Sequence, residues 1–270
     1  MLGDTQQLVQ SKVLVIGDSC QDHYIFGECT RLSPEAPVPI LLTKRREIRP
    51  GMALNVASNL ENLGNSVSVV TQKQEILKTR YVSEPSLTHL LRVDDESEIT
   101  SLTFYEIQQL KFSNFSAVVV SDYDKGFISR DAAKQISQQC SKNNVPLFVD
   151  SKKSDLSCYS DVVLKVNNYE KQLIKKFPRN ASLIETLGAN GARYKNKTYP
   201  AYEPNVKDLN RRDVSGAGDT FVAGLVHYFV NVEPSISAAI PFANMCAGVV
   251  VEKFGTMQIS NDLLKGEEDE

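Results

Sequence analysis

Continuous apolar runs and amphipathic stretches alternate along this chain and predict its architecture. Residues 12–18 (K-V-L-V-I-G-D), 66–71, 117–122, 146–150, 162–166 and 183–186 are short runs rich in β-branched residues. Such runs form strands buried on both faces of a parallel sheet. Residues 49–64, 129–143 and 169–177 carry helical periodicity, with Gly64 as a stop signal and Ser129 as an N-cap. Two more apolar helices follow, over 222–230 and 235–254. Strands alternating with helices predict an α/β fold, a mostly parallel sheet covered on both faces with right-handed crossovers.

Two places break the alternation. Residues 24–26 and 38–43 read as short strands joined by the Pro-rich connector 33–39, and no helix follows them. Residues 81–82 and 88–93 form a second such pair around Glu84-Pro85-Ser86. Both predict a small β-strand lid beside the main sheet, spanning about 22–46 and 78–96. The segment 72–78 is too short for a crossover helix plus a strand. Residues 193–199 read as one further exposed strand. With no internal repeat or linker, residues 1–270 are expected to form one domain.

Bulk properties narrow the class. The chain is 41% hydrophobic and 23% charged with a net charge of −3, which gives no electrostatic reason to expect nucleic-acid or membrane binding. Five scattered cysteines without a C-x-x-C pair read as reduced thiols of a cytoplasmic protein. The three histidines lack metal-ligand spacing, and His227 reads as a packed core residue. The acidic tail 266–270 is expected to fray.

The chemistry concentrates at 213–221, D-V-S-G-A-G-D-T-F. Gly216, Ala217 and Gly218 let backbone N–H groups converge at a helix N-terminus, where the dipole favours an anion. Asp219 in that first turn suits a base that takes a proton from a hydroxyl attacking a phosphoryl group. An ordinary Gly-rich helix cap is the competing interpretation. Asp18 and Asp22 follow the first strand, beyond whose carboxyl end ligands collect in open α/β sheets. They suit sugar hydroxyls or, equally, strand-end capping. Gly51 marks a close backbone approach at the start of the next helix, with Asn55 one turn in.

Together these segments resemble the ribokinase-like (PfkB) sugar kinases over nearly the whole chain. The resemblance is closest to the kinase domain of the heptose-7-phosphate kinases of lipopolysaccharide core biosynthesis. It is carried by 13–22 (V-L-V-I-G-D-S-C-Q-D), 31–39 (R-L-S-P-E-A-P-V-P), 49–64, 121–126 (S-D-Y-D-K-G) and 242–256. It implies a three-layer sandwich with a small lid and an ATP- and Mg2+-dependent transfer to a phosphorylated sugar. Asp219 then looks like the base, and Gly216, Ala217 and Gly218 like the anion hole. Asn167 and Glu170 resemble an N-x-x-E pair that holds magnesium and phosphate, although Asn167 also suits a helix cap. Thr186, Gly188 and Gly191 resemble the nucleotide loop, and Asn244 lines the adenine side. Asp18, Asp22, Gly51 and Asn55 fall where the family binds its sugar, and Arg31 and Lys125 are expected to meet the phosphate already on it.

Three departures stand out: Met52 where relatives carry a second glycine, Asp124 where they carry a small or neutral residue, and a missing βα unit after Thr71. They leave two alternatives, a kinase for another sugar or nucleoside and a degenerate, kinase-like binding subunit. A homodimer through the lid strands is expected from the family and from the exposed strand edge. The resemblance covers a kinase domain alone, so a monofunctional enzyme is expected.

Overall fold

In the computed structural model, which describes residues 11–84, 86–202, 214–260 and 264, the apolar runs assemble as one sheet. Asp213 and the tail lie outside the described residues. Strand β1 (Lys12–Gly17) passes directly into β2 (Ser19–Leu32) and β3 (Pro39–Met52), which lead to α1 (Ala53–Asn62) and β4 (Ser66–Val70). After β5 (Ile76–Ser83) and β6 (Thr88–Glu96) come α2 (Phe104–Gln109), β7 (Ala117–Asp122), α3 (Arg130–Lys142) and β8 (Leu147–Ser151). The remainder is β9 (Val163–Asn167), α4 (Asn168–Leu173), β10 (Ser182–Thr186), β11 (Ala192–Tyr194), β12 (Lys197–Tyr199), α5 (Ala217–Asn231) and α6 (Ile236–Val251).

The main sheet has the order β12-β11-β10-β9-β8-β7-β1-β4, parallel from β10 to β4 and antiparallel at β11 and β12. Successive residues of β1 feed opposite cores. Val13 and Val15 pack with α1, α5 and α6 through Leu60, Phe221 and Ile240. Leu14 and Ile16 pack under α2 and α3 with Ile107, Ile128 and Ile136. That alternation makes three layers, and each fully buried aliphatic side chain stabilises them by about 1.5–3 kcal/mol. The short link after Thr71 leaves β4 at the sheet edge.

The strands expected to form the lid build a separate second sheet of order β3-β2-β5-β6. Its strands are much longer than the hydrophobic pattern predicts, since β2 and β3 each run for 14 residues. Charged positions that read as loop are paired across the ribbon, as in Lys44 with Glu28 and Arg45 with Glu84. The predicted helix start at 49 is corrected for the same reason. Arg49–Met52 complete β3, Gly51 pairs with Cys20, and α1 begins only at Ala53.

Three smaller corrections follow. Helix α4 ends at Leu173, not 177, because Lys175 and Lys176 donate to the Ser154 carbonyl and Asp155 bridges Lys176. The strand expected over 193–199 is a hairpin, broken where Lys195 adopts φ 53°. Helix α2 adds to the expected elements, started by a capping box of Thr103 and Glu106 that the sequence spells out.

Candidate active site

Helix α5 begins beyond the sheet's carboxyl edge, and its N-cap Gly216 is left-handed, φ 79°. A Cβ there would be strained and would meet Asn55 Nδ2 at 2.7 Å, so only glycine fits. One turn in, Asp219 is buried between two donors. Asn55 Nδ2 donates to Oδ2 at 3.0 Å and the Tyr123 hydroxyl donates to Oδ1 at 2.7 Å. Asn55 is itself fixed by Asn59, whose side-chain oxygen accepts the Ile259 N–H. Burial pushes the Asp219 carboxyl up and the charge of Asp150 adds to this, while Asn55, Tyr123 and Lys152 oppose it. A raised but still hydrogen-bonded carboxyl suits proton acceptance near neutral pH.

A row of charges runs along the strand ends beside α5. Buried Lys165 donates to Asp150 at 2.7 Å, and a Cβ on Gly218 would lie 2.9 Å from its ammonium. Lys165 therefore stands against the glycine turn itself. Lys152 bridges Asp150 and Glu170 at 2.9 and 2.5 Å. Burial alone would raise the Asp150 carboxyl, but Lys152 and Lys165 outweigh it and hold it at about 2. Asn167 and Glu170 cap α4 reciprocally: Asn167 accepts the Glu170 N–H at 2.7 Å and Glu170 accepts the Asn167 N–H at 2.8 Å. Their amide and carboxylate oxygens are hard donors with lone pairs to spare, the kind that magnesium and its waters accept. Among the described residues, no cluster of three or more His, Cys, Asp or Glu could hold a metal.

The other expected site residues divide clearly. Asn55 reaches Asp219 from α1. Asp18 is wholly buried, and its carboxylate accepts the N–H groups of Tyr123, Lys125 and Phe127 at 2.8, 3.3 and 3.2 Å. Asp22 is committed to Arg80 at 2.6 Å and Thr256 at 2.9 Å, packed under Gly51. Lys125 pairs with Glu96 at 2.5 Å, and Asp124 lies 3.5 Å from Lys153. Arg31 is exposed at the outer end of β2 opposite Ile40, roughly 30 Å beyond Asp22 at the rise of an extended strand. Thr186 bonds the Val166 carbonyl, Gly188 and Gly191 bracket a 3-10 turn, and Asn244 donates to the Pro200 carbonyl at 2.7 Å. The pattern did not single out Tyr123, Lys152 or Lys165. A lysine inside the otherwise apolar run V-L-K-V was the available signal for the last.

The profile described as pfkB family carbohydrate kinase matches residues 86–263. The chain belongs to that family. As a pfkB kinase it is a phosphotransferase with an alcohol acceptor. It is 34% identical over 300 residues to a protein named Bifunctional protein HldE from Campylobacter jejuni RM1221, covering 94% of this chain. A Sulfurimonas denitrificans protein of the same name is 32% identical, covering 92% of this chain. The chain spans 64% and 62% of the lengths of those two relatives.

Solved structures agree on the fold. Phosphofructokinase-2 from Escherichia coli in complex with potassium superposes with a TM-score of 0.72 at 17% identity, covering 96% of this chain and 97% of that one. Arabidopsis thaliana ribokinase complexed with ribose and ATP gives 0.67 at 14%, covering 97% and 100%. The pfkB kinase thus has the expected ribokinase-like α/β architecture with a separate small sheet. Among its described residues no helix is long and apolar enough to cross a membrane.

Proposed function

We propose that this pfkB kinase transfers the γ-phosphoryl group of ATP to the anomeric hydroxyl of a heptose 7-phosphate, giving a heptose 1,7-bisphosphate and ADP. The observation that carries the chemistry is Asp219, buried at the mouth of α5 with Lys165 beside Gly218. The hydroxyl oxygen bonds phosphorus as its proton passes to Asp219, and the bond from the γ-phosphorus to the β,γ-bridging oxygen breaks, releasing ADP. The first-turn N–H groups of α5 beyond Ala217, whose own N–H donates to the Val214 carbonyl at 3.2 Å, and the Lys165 ammonium bear the charge on the moving phosphoryl group. Asn167 and Glu170 would hold magnesium through its waters, and the ion would neutralise phosphate charge on the nucleotide. Thr186, Gly188, Gly191 and Asn244 would flank the nucleotide.

The substrate class rests on the heptose-kinase resemblance and on relatives named HldE. The lid supports a phosphorylated substrate through Lys78. It shares the inner face of β5 with Ile76 and Arg80, opposite Asp94 in the register, and its ammonium lies 5.7 Å from the Tyr123 ring. Arg31 and Lys125 are the more distant candidates, Lys125 already neutralised by Glu96. A kinase for another sugar is the second interpretation, favoured by Met52, which fills the space beside Cys20 and Ile76.

A steady-state assay over heptose 7-phosphate, fructose and ribose, with and without magnesium, tests the reading. Magnesium-dependent turnover of the phosphoheptose alone is expected. Lys78→Ala is expected to raise KM for the phosphosugar about tenfold or more while KM for ATP stays put, since one charge-assisted bond is lost. Equal turnover of ribose or fructose would overturn the heptose-phosphate assignment and leave the kinase intact.

The same proposal includes a homodimer through the lid. Its outer face exposes Leu42, Ile48 and Leu91 at 53%, 65% and 57%, an apolar surface that a second lid would cover. Sedimentation equilibrium is expected to give twice the chain mass, and a monomer at micromolar concentration would remove the dimer.

A further inference from the structure

We propose that Tyr123 is a positioning residue for phosphoryl transfer: its hydroxyl orients the carboxylate of Asp219, and Asp18 holds Tyr123 in place. The inference rests on Asp219 being the base. Its own ground is the 123–127 loop, whose Tyr123, Lys125 and Phe127 N–H groups all converge on the buried Asp18 carboxylate. Asp124 and Gly126 take φ 58° and 111° to curl the loop around that anion. Asp18 is wholly buried beneath this loop, so its carboxylate acts on the site through the loop.

The loop delivers one group to the reaction centre, the Tyr123 hydroxyl, 2.7 Å from Asp219 Oδ1. Asn55 holds the other oxygen at 3.0 Å from a different element, so two independent donors fix the carboxylate plane. Lys78 and Lys152 lie 5.7 and 5.1 Å from the centre of the tyrosine ring and hold it by cation–π attraction. Burial pushes the phenol well above its ordinary range, with the Asp219 charge adding to it, so the hydroxyl keeps its proton and donates. Each carboxylate oxygen retains a second lone pair, and Oδ1 can accept the substrate proton without losing Tyr123.

The titratable, charged and polar groups facing Asp219 come from five elements. They are Cys20 from β2, whose thiol is kept protonated by burial and the neighbouring carboxylates, Asn55 from α1, Tyr123 after β7, and Asp150 and Lys152 at and after the end of β8, with Lys165 of β9 beside the adjoining Gly218. Tyr123 is one of those that lower the Asp219 pKa. Removing its hydroxyl leaves burial and Asp150 less opposed, and the pKa rises further. The base works ionised, so activity is present above that pKa and lost below it. The acid limb of the rate profile must therefore move to higher pH.

The test is the pH dependence of kcat/KM for wild type, Tyr123→Phe and Asp18→Asn, with heptose 7-phosphate and Mg-ATP. Tyr123→Phe is expected to lower kcat about tenfold and shift the acid limb upward by roughly half to one pH unit, with KM for ATP unchanged. Asp18→Asn, which leaves Tyr123 itself intact, is expected to move the limb the same way. An acid limb that stays in place in both variants overturns the inference, as does a faster Tyr123→Phe enzyme, which would make the hydroxyl an obstruction. If Tyr123→Phe does not fold, the Asp18→Asn limb decides alone. An inactive Asp219→Asn beside an unmoved Tyr123→Phe profile sinks this inference only, whereas an active Asp219→Asn sinks the base assignment beneath it.

Discussion

Asp219→Asn is expected to lower kcat a hundredfold or more while leaving the affinity for ATP near that of wild type. The substitution keeps the size of the side chain and removes its capacity to accept a proton, which is worth about 100- to 10,000-fold for a positioned general base. Asparagine can still accept from either Asn55 or Tyr123 through its oxygen, though its amide nitrogen cannot accept from the other. Glycine-turn geometry and the Lys165 ammonium are untouched, so nucleotide binding should survive. Single-turnover kinetics alongside calorimetric ATP titration separates the two effects. Near-normal turnover would disprove the base assignment, and loss of ATP binding together with turnover would place Asp219 in nucleotide binding instead.

What the sequence reveals here follows the range of the interactions involved. Strands β1, β7 and β8 are legible because a parallel strand buried on both faces must be apolar at every position. Asp219 is legible as a candidate base because the glycines, the first turn and the carboxylate lie within one short stretch. The lid's full length is hidden, since charged residues such as Glu28 and Lys44 are stabilised only by pairing across the ribbon. Asn55 reads as a sugar ligand, and its contact with Asp219 stays hidden because the two lie 164 residues apart. Asp18 looks like a ligand for the same reason: its three N–H donors come from a loop more than a hundred residues further on. A one-dimensional pattern shows which residues are chemically capable, and the tertiary fold decides which of them face each other.

Lys165→Met is expected to damage stability and turnover together, by different routes. The Lys165 and Asp150 side chains are 5% and 2% exposed and 2.7 Å apart, so the pair lies outside the screening reach of solvent. Breaking a buried pair costs about 3–5 kcal/mol because the remaining charge is left unpaired. Lys152 still holds the other oxygen of Asp150 at 2.9 Å, which argues for the low end, about 3 kcal/mol, or roughly 6–12 °C in Tm. The pH dependence identifies the cause. With Asp150 held at about 2, its contribution is fully present above the ordinary carboxyl range and lost as pH falls through about 2. Without Lys165 that carboxyl rises, so the acid loss of stability begins at higher pH than in wild type. Turnover falls separately, because the ammonium beside Gly218 would no longer meet the charge of the transferring phosphoryl group. Loss of one such preorganised contact lowers kcat about 100- to 1,000-fold. Thermal melts between pH 2 and 6, paired with kcat at neutral pH, distinguish the routes. A lower Tm with unchanged kcat would reduce Lys165 to a strut for Asp150, and an unchanged acid limb of stability would mean that Lys152 alone sets the Asp150 carboxyl.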